Sequence, residues 1–106
     1  MNKWSPFDGG RQIGSSSADG DLILFDEEHR DGARITLKRG REYVSVSLNI
    51  YGWMDHTRFF NTDVDAQREY RAMRSAMDSL LRIIYAPDVN KIRVWEAISE
   101  FVRRFP

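Results

Sequence analysis

A chain of 106 residues, 42% hydrophobic and 30% charged, fits one ordinary domain and excludes both a disordered polymer and a second independent core. Its 16 basic and 16 acidic side chains cancel, so no overall field draws it to nucleic acid, an anionic membrane or a polyanionic substrate. The absence of cysteine excludes disulfides, thiolate zinc sites and a cysteine nucleophile.

In chain order, residues 1–20 contain Gly9, Gly10, Gly14, Gly20 and three consecutive serines, which raise the entropy cost of ordering the backbone. The expectation is a flexible N-terminal arm, with Trp4, Phe7 and Ile13 as the side chains able to dock if given an apolar groove. Gly9, Gly10 and Gly14 have the glycine spacing of a phosphate-binding loop, but Ser15 stands where lysine is needed and no strand or helix is expected on either side.

From Asp21 the pattern turns to short β-type runs. Leu22-Ile23-Leu24-Phe25 is continuously apolar, and Asp31-Gly32 is a turn signal that closes a first hairpin. Ala33, Ile35 and Leu37 then alternate with Arg34, Thr36 and Lys38, and Arg39-Gly40-Arg41 turns the chain again. Val44, Val46, Leu48 and Ile50 form the inner face of a third strand, with Tyr43, Ser45, Ser47, Asn49 and Tyr51 on its outer face. His56 to Asn61, rich in β-formers, makes a fourth.

Thr62, with Asp65 three residues on, opens a helix. Ala66, Tyr70, Met73, Met77, Leu80, Leu81 and Ile84 recur at spacings of three and four and form its apolar stripe. Ala86-Pro87 ends that helix. A second begins from Asp88 or Asn90 as N-cap and carries Ile92, Trp95, Ile98, Phe101, Val102 and Phe105. The fold class is therefore α+β: a four-stranded antiparallel β-meander followed by two amphipathic helices packed on one face of the sheet, with 21–106 as a single domain behind the 1–20 arm. No apolar run reaches the roughly 18–20 residues of a membrane span, and the N-terminus lacks a secretory-type stretch, so a cytoplasmic protein is expected.

Chemistry is sparse. His29 and His56 have acidic neighbours but no metal-ligand spacing, and read as solvated turn histidines. The carboxylates between Asp19 and Asp31 do not follow a calcium-loop order, and no nucleophile elbow, dinucleotide fingerprint or kinase-type motif occurs. No catalytic residue, metal or cofactor is assigned.

Two surfaces stand out. Tyr51, Trp53 and Met54 sit at a hairpin tip, where large apolar groups are costly to leave wet; they are the interaction candidates, with a homodimer or a protein partner as the occupant. The alternative is a single-stranded nucleic-acid surface on the polar sheet face, built from Arg34, Lys38, Arg41, Tyr43, Tyr51 and Arg58, whose cations would meet phosphates while the rings stack on bases.

Overall fold

The computed structural model describes residues 3–106; Met1 and Asn2 of the expected arm lie outside them. Its elements are β1 (Trp4–Pro6), a short 3-10 turn (Phe7–Gly10), β2 (Leu22–His29), β3 (Ala33–Arg39), β4 (Val44–Ile50), β5 (Met54–Phe60), α1 (Asp63–Ile84) and α2 (Lys91–Arg104). They divide into two compact units, one running up to Tyr70 and the other from Arg71 to Pro106, so the boundary falls inside α1.

The first unit holds an antiparallel meander in the order β1-β2-β3-β4-β5. The sheet thus has five strands rather than the four expected, and the addition comes from the segment expected as an arm: Trp4 lies opposite His29, and Pro6 opposite Glu27. Trp4 is buried and meets the His29 ring edge-on, with centroids 4.9 Å apart. His29, expected as a solvated turn residue, is itself buried, and its Nδ1 accepts the Asp31 backbone N–H at 3.1 Å. Behind β1 the chain returns along the start of β2, where Ile23 exchanges backbone bonds with Gly14 and Ser15.

Alternation assigns the two sheet faces. Ile35, Leu37, Val46 and Ile50 are fully buried on the inner face, each contributing about 1.5–3 kcal/mol through removal of its side chain from water. The opening turns of α1 lie on this side. Tyr70 donates its hydroxyl hydrogen to Glu27 at 2.7 Å, Arg58 reaches Glu69 at 2.7 Å and Arg39 reaches Asp63 at 2.6 Å. A register shift between Ile23 and Phe25 explains the continuous apolar run there: without it both side chains would share a face. With it, Phe25 joins Leu37 on the inner side and tilts against Tyr70, while Ile23 lies beside Lys38. Thr62 accepts the Asp65 N–H and caps α1 as its sequence position suggests.

In the second unit, Met73, Met77, Leu80, Leu81 and Ile84 are all buried, as the stripe predicts. The stripe expected on α2 divides in two. Ile98, Phe101 and Phe105 are buried together with Val94 and Ala97, whereas Ile92, Trp95 and Val102 are exposed. At 100° per residue the latter three fall in a neighbouring sector of the helix, which a count of threes and fours does not separate from the first. Of the two candidate caps, Asn90 takes the role, its side-chain oxygen accepting the Arg93 N–H at 2.8 Å, while Asp88 has a positive φ of 65°. Asn90→Ala is expected to lower stability by about 1 kcal/mol, read from urea unfolding, because the cap bond is lost without replacement.

Candidate functional site

The outer sheet face is ordered in cross-strand rows. Register places Asp26, Thr36, Ser47 and Thr57 side by side across β2 to β5, with Glu28, Arg34, Asn49 and Asp55 in the next row and Ile23, Lys38, Ser45 and Phe59 in the one beyond. The β2–β3 half of this face is satisfied internally. Arg34 grips the fully buried Asp26 with two bonds, at 2.9 and 2.7 Å, and Thr36 donates to the same carboxylate at 3.1 Å. The Phe7 ring lies 3.6 Å from the guanidinium carbon and covers the pair. These hydrogen bonds from Arg34 to Asp26 hold the guanidinium pKa above its ordinary value.

Lys38 is likewise held, its Nζ lying 3.3 Å from Asp19. Asp19 also accepts the Ser17 hydroxyl and the Asp21 N–H, and these bonds, with Ser17 first, pull its pKa from 3.8 to about 2. A depressed carboxylate pKa adds stability above its unfolded value and loses it as the group protonates in the folded state. The loop 17–21 is therefore expected to keep its bonds at neutral pH and to loosen between about pH 4 and pH 2. A carboxyl-carbon NMR titration should place the Asp19 midpoint near 2; a midpoint at 3.8 would mean that these bonds are not formed in solution.

The β4–β5 half is different. β5 ends the sheet and pairs only with β4. Its backbone direction follows from the neighbouring strands. Tyr51 N–H donates to Gly32 on the β3 side, so in the alternating antiparallel pattern Tyr51, Asn49 and Ser47 direct their backbone groups to β3, and Ile50 and Leu48 direct theirs to β5. The pair Ser47–Thr57 is thus joined by side chains, with hydroxyl oxygens 3.0 Å apart. The N–H and C=O of Asp55, Thr57 and Phe59 point away from β4 to the free edge. The opposite edge offers no equivalent, since β1 is three residues long and contains Pro6, two devices that blunt pairing.

Aromatic side chains mark both ends of this strand. Near its end, Phe59 is 67% exposed and meets Tyr43 edge-on with centroids 6.2 Å apart. These two rings, with Asp21, Arg41, Glu42 and Ser45, line an open hollow of about 550 Å³. Gly40 also lines it, and a Cβ there would stand 2.9 Å from the Asp21 carboxylate, so a side chain at this position would require Asp21 to shift. At the start of β5 is the turn carrying Tyr51, Trp53 and Met54, closed by the Trp53 N–H donating to Ile50 at 2.9 Å. Gly52, with φ 82°, supplies the conformation this type II turn needs. Tyr51 is exposed, Trp53 and Met54 are half-buried, and the three border a second open hollow of about 480 Å³.

The interaction candidates therefore lie together at one end of β5. Of the residues named for nucleic acid, only Arg58 lies off the outer face, and the others are spread across it, two of them already ion-paired. Arg34 and Lys38 are bound to Asp26 and Asp19, Arg41 and Tyr43 stand beside Phe59, Tyr51 is at the opposite end of β4, and Arg58 lies on the inner side with Glu69. Phe59 was not singled out by the sequence reading, although a signal was present: in the strand, the adjacent Phe59 and Phe60 must point to opposite faces, so one of them must face outward. Among the described residues no group of three or more metal-ligating side chains is placed to hold an ion, and no helix is long and apolar enough to cross a membrane. Comparison of the chain with protein-family models, curated proteins and solved structures finds no match in any of the three.

Proposed function

We propose that the chain is a non-enzymatic protein-interaction module that takes an extended strand along the free edge of β5. The observation that carries this reading is the contrast between the two edges: β1 is short and carries proline, whereas β5 offers the backbone groups of Asp55, Thr57 and Phe59 beside an exposed Phe59–Tyr43 pair. Strand addition gains its affinity from main-chain bonds and its selectivity from side-chain hollows along the edge. The two hollows at the ends of β5 supply such places for apolar or aromatic groups, the side chains that dominate interface energetics.

The reading is tested by selecting random peptides displayed on phage against the chain, immobilised so sparsely that copies cannot meet. Thr57→Pro removes an outward N–H and no backbone bond to β4, giving up only the exposed hydroxyl contact with Ser47, so the variant should keep its fold, as circular dichroism would confirm, while losing the edge. Selected peptides should be extended, with apolar groups at alternate positions, and should bind Thr57→Pro at least about tenfold more weakly, the factor that a loss of about 1.4 kcal/mol produces. Peptides that bind wild type and Thr57→Pro equally, or a selection that enriches nothing, would refute it.

A further inference from the structure

We infer that the strand received by β5 is β5 of a second copy of this chain, the two joining antiparallel about a two-fold axis at Thr57 into one continuous sheet. The inference rests on the interaction reading and supplies its partner. A closed two-fold contact presents the same patch on both sides, so it must be complementary to itself. With the axis perpendicular to the sheet, outer-face residues meet outer-face residues and inner meet inner, which restricts the axis to a residue of the strand.

Centring the axis on Thr57 pairs the whole of Met54–Phe60. Thr57 faces its own equivalent, Asp55 faces Phe59 of the second copy, His56 faces Arg58 and Met54 faces Phe60. The residues whose N–H and C=O point outward, Asp55, Thr57 and Phe59, then meet one another, so each of these pairs exchanges both of its backbone bonds. The contacts are apolar with apolar in Met54–Phe60, and no like charges stand directly opposite. Shifting the axis to Arg58 sets two guanidinium groups face to face, a destabilising arrangement. Shifting it to His56 leaves Phe59 and Phe60 beyond the paired region. One register thus satisfies the most backbone, avoids like charges and uses the entire strand. It also carries the Trp53 turn of each copy toward the Phe59 end of the other, which brings the aromatic groups at both ends of β5 to the same interface.

The chain contains no cysteine, so single introduced thiols report the register directly. Thr57→Cys treated with a short thiol-to-thiol linker should form covalent dimers about tenfold or more faster than Val64→Cys, a control at an exposed position of α1, because the facing thiols have a high effective concentration. Asp55→Cys mixed with Phe59→Cys should cross-link faster than either variant alone. Light scattering on the wild type should show a mass that rises toward twice 12.4 kDa with concentration. A single-chain mass throughout, with selected peptides still sensitive to Thr57→Pro, would overturn the second-copy inference and leave the interaction reading standing. A dimer that cross-links through Ile92→Cys on α2 and not through Thr57→Cys would overturn the register. Peptides indifferent to Thr57→Pro would remove the interaction reading itself.

Discussion

Replacing Arg34 with methionine is expected to destabilise the protein by about 3–5 kcal/mol, because it leaves the carboxylate of Asp26 without its counter-charge in a buried position. Asp26 is wholly inaccessible, and two of its bonds come from Arg34. Thr36 alone then remains to solvate it. Methionine keeps most of the aliphatic stem, so the loss reports the guanidinium, its charge and its contact with the Phe7 ring, rather than the whole side chain. A double replacement, Asp26→Leu with Arg34→Met, removes both charges and should recover the larger share of that loss, since a buried ion pair contributes little net stability against apolar groups of similar size. Urea unfolding of the wild type, the two single variants and the double variant tests both statements. Additive losses in the cycle would show that the two side chains act independently, contrary to the contacts described.

Trp4→Ala is expected to cost about 3–5 kcal/mol, the range for emptying a buried aromatic site. Trp4 fills the space beside His29 and fixes a strand only three residues long, and such a strand has few backbone bonds of its own to keep it paired. The substitution should also speed hydrogen exchange at Glu28 and Arg30, whose backbone groups face β1, while leaving amides in β3 and β4 close to their wild-type ordering of rates. A stability unchanged within about 0.5 kcal/mol, the usual effect of a surface substitution, would mean that the segment adds nothing to the folded state.

The meander and both helices were legible because their signals are long. Val44 to Ile50 alternates without interruption, and the buried positions of α1 repeat through its full length. β1 was not legible, since three residues are too few to display a period and Pro6, acceptable at an edge, normally argues against a strand. The bulge after Ile23 was hidden for a related reason: a continuous apolar run does not state which face each side chain takes. On α2, residues adjacent on the helical wheel were merged, so Ile92 and Trp95 were grouped with side chains that are buried.

The candidate site was legible in part. Tyr51, Trp53 and Met54 stood out by chemistry, as large groups at a turn, and the structure sets them at one end of the open strand. The other end was missed, because the exposure of Phe59 depends on β5 being last in the sheet, a property of topology rather than of local sequence. Arg34 and Lys38 had the charge for a polyanion, but the carboxylates that hold them, Asp26 and Asp19, come from eight and nineteen residues away and meet them only after folding.

Backbone hydrogen exchange at Thr57 tests the central claim most directly, because that amide is directed to the free edge and bears on nothing else in the sheet. It should exchange quickly in dilute solution and slow progressively as the chain is concentrated or as a selected peptide is added, together with Asp55 and Phe59. An exchange rate at Thr57 unmoved by either addition would contradict the assignment of β5 as the surface through which this protein works.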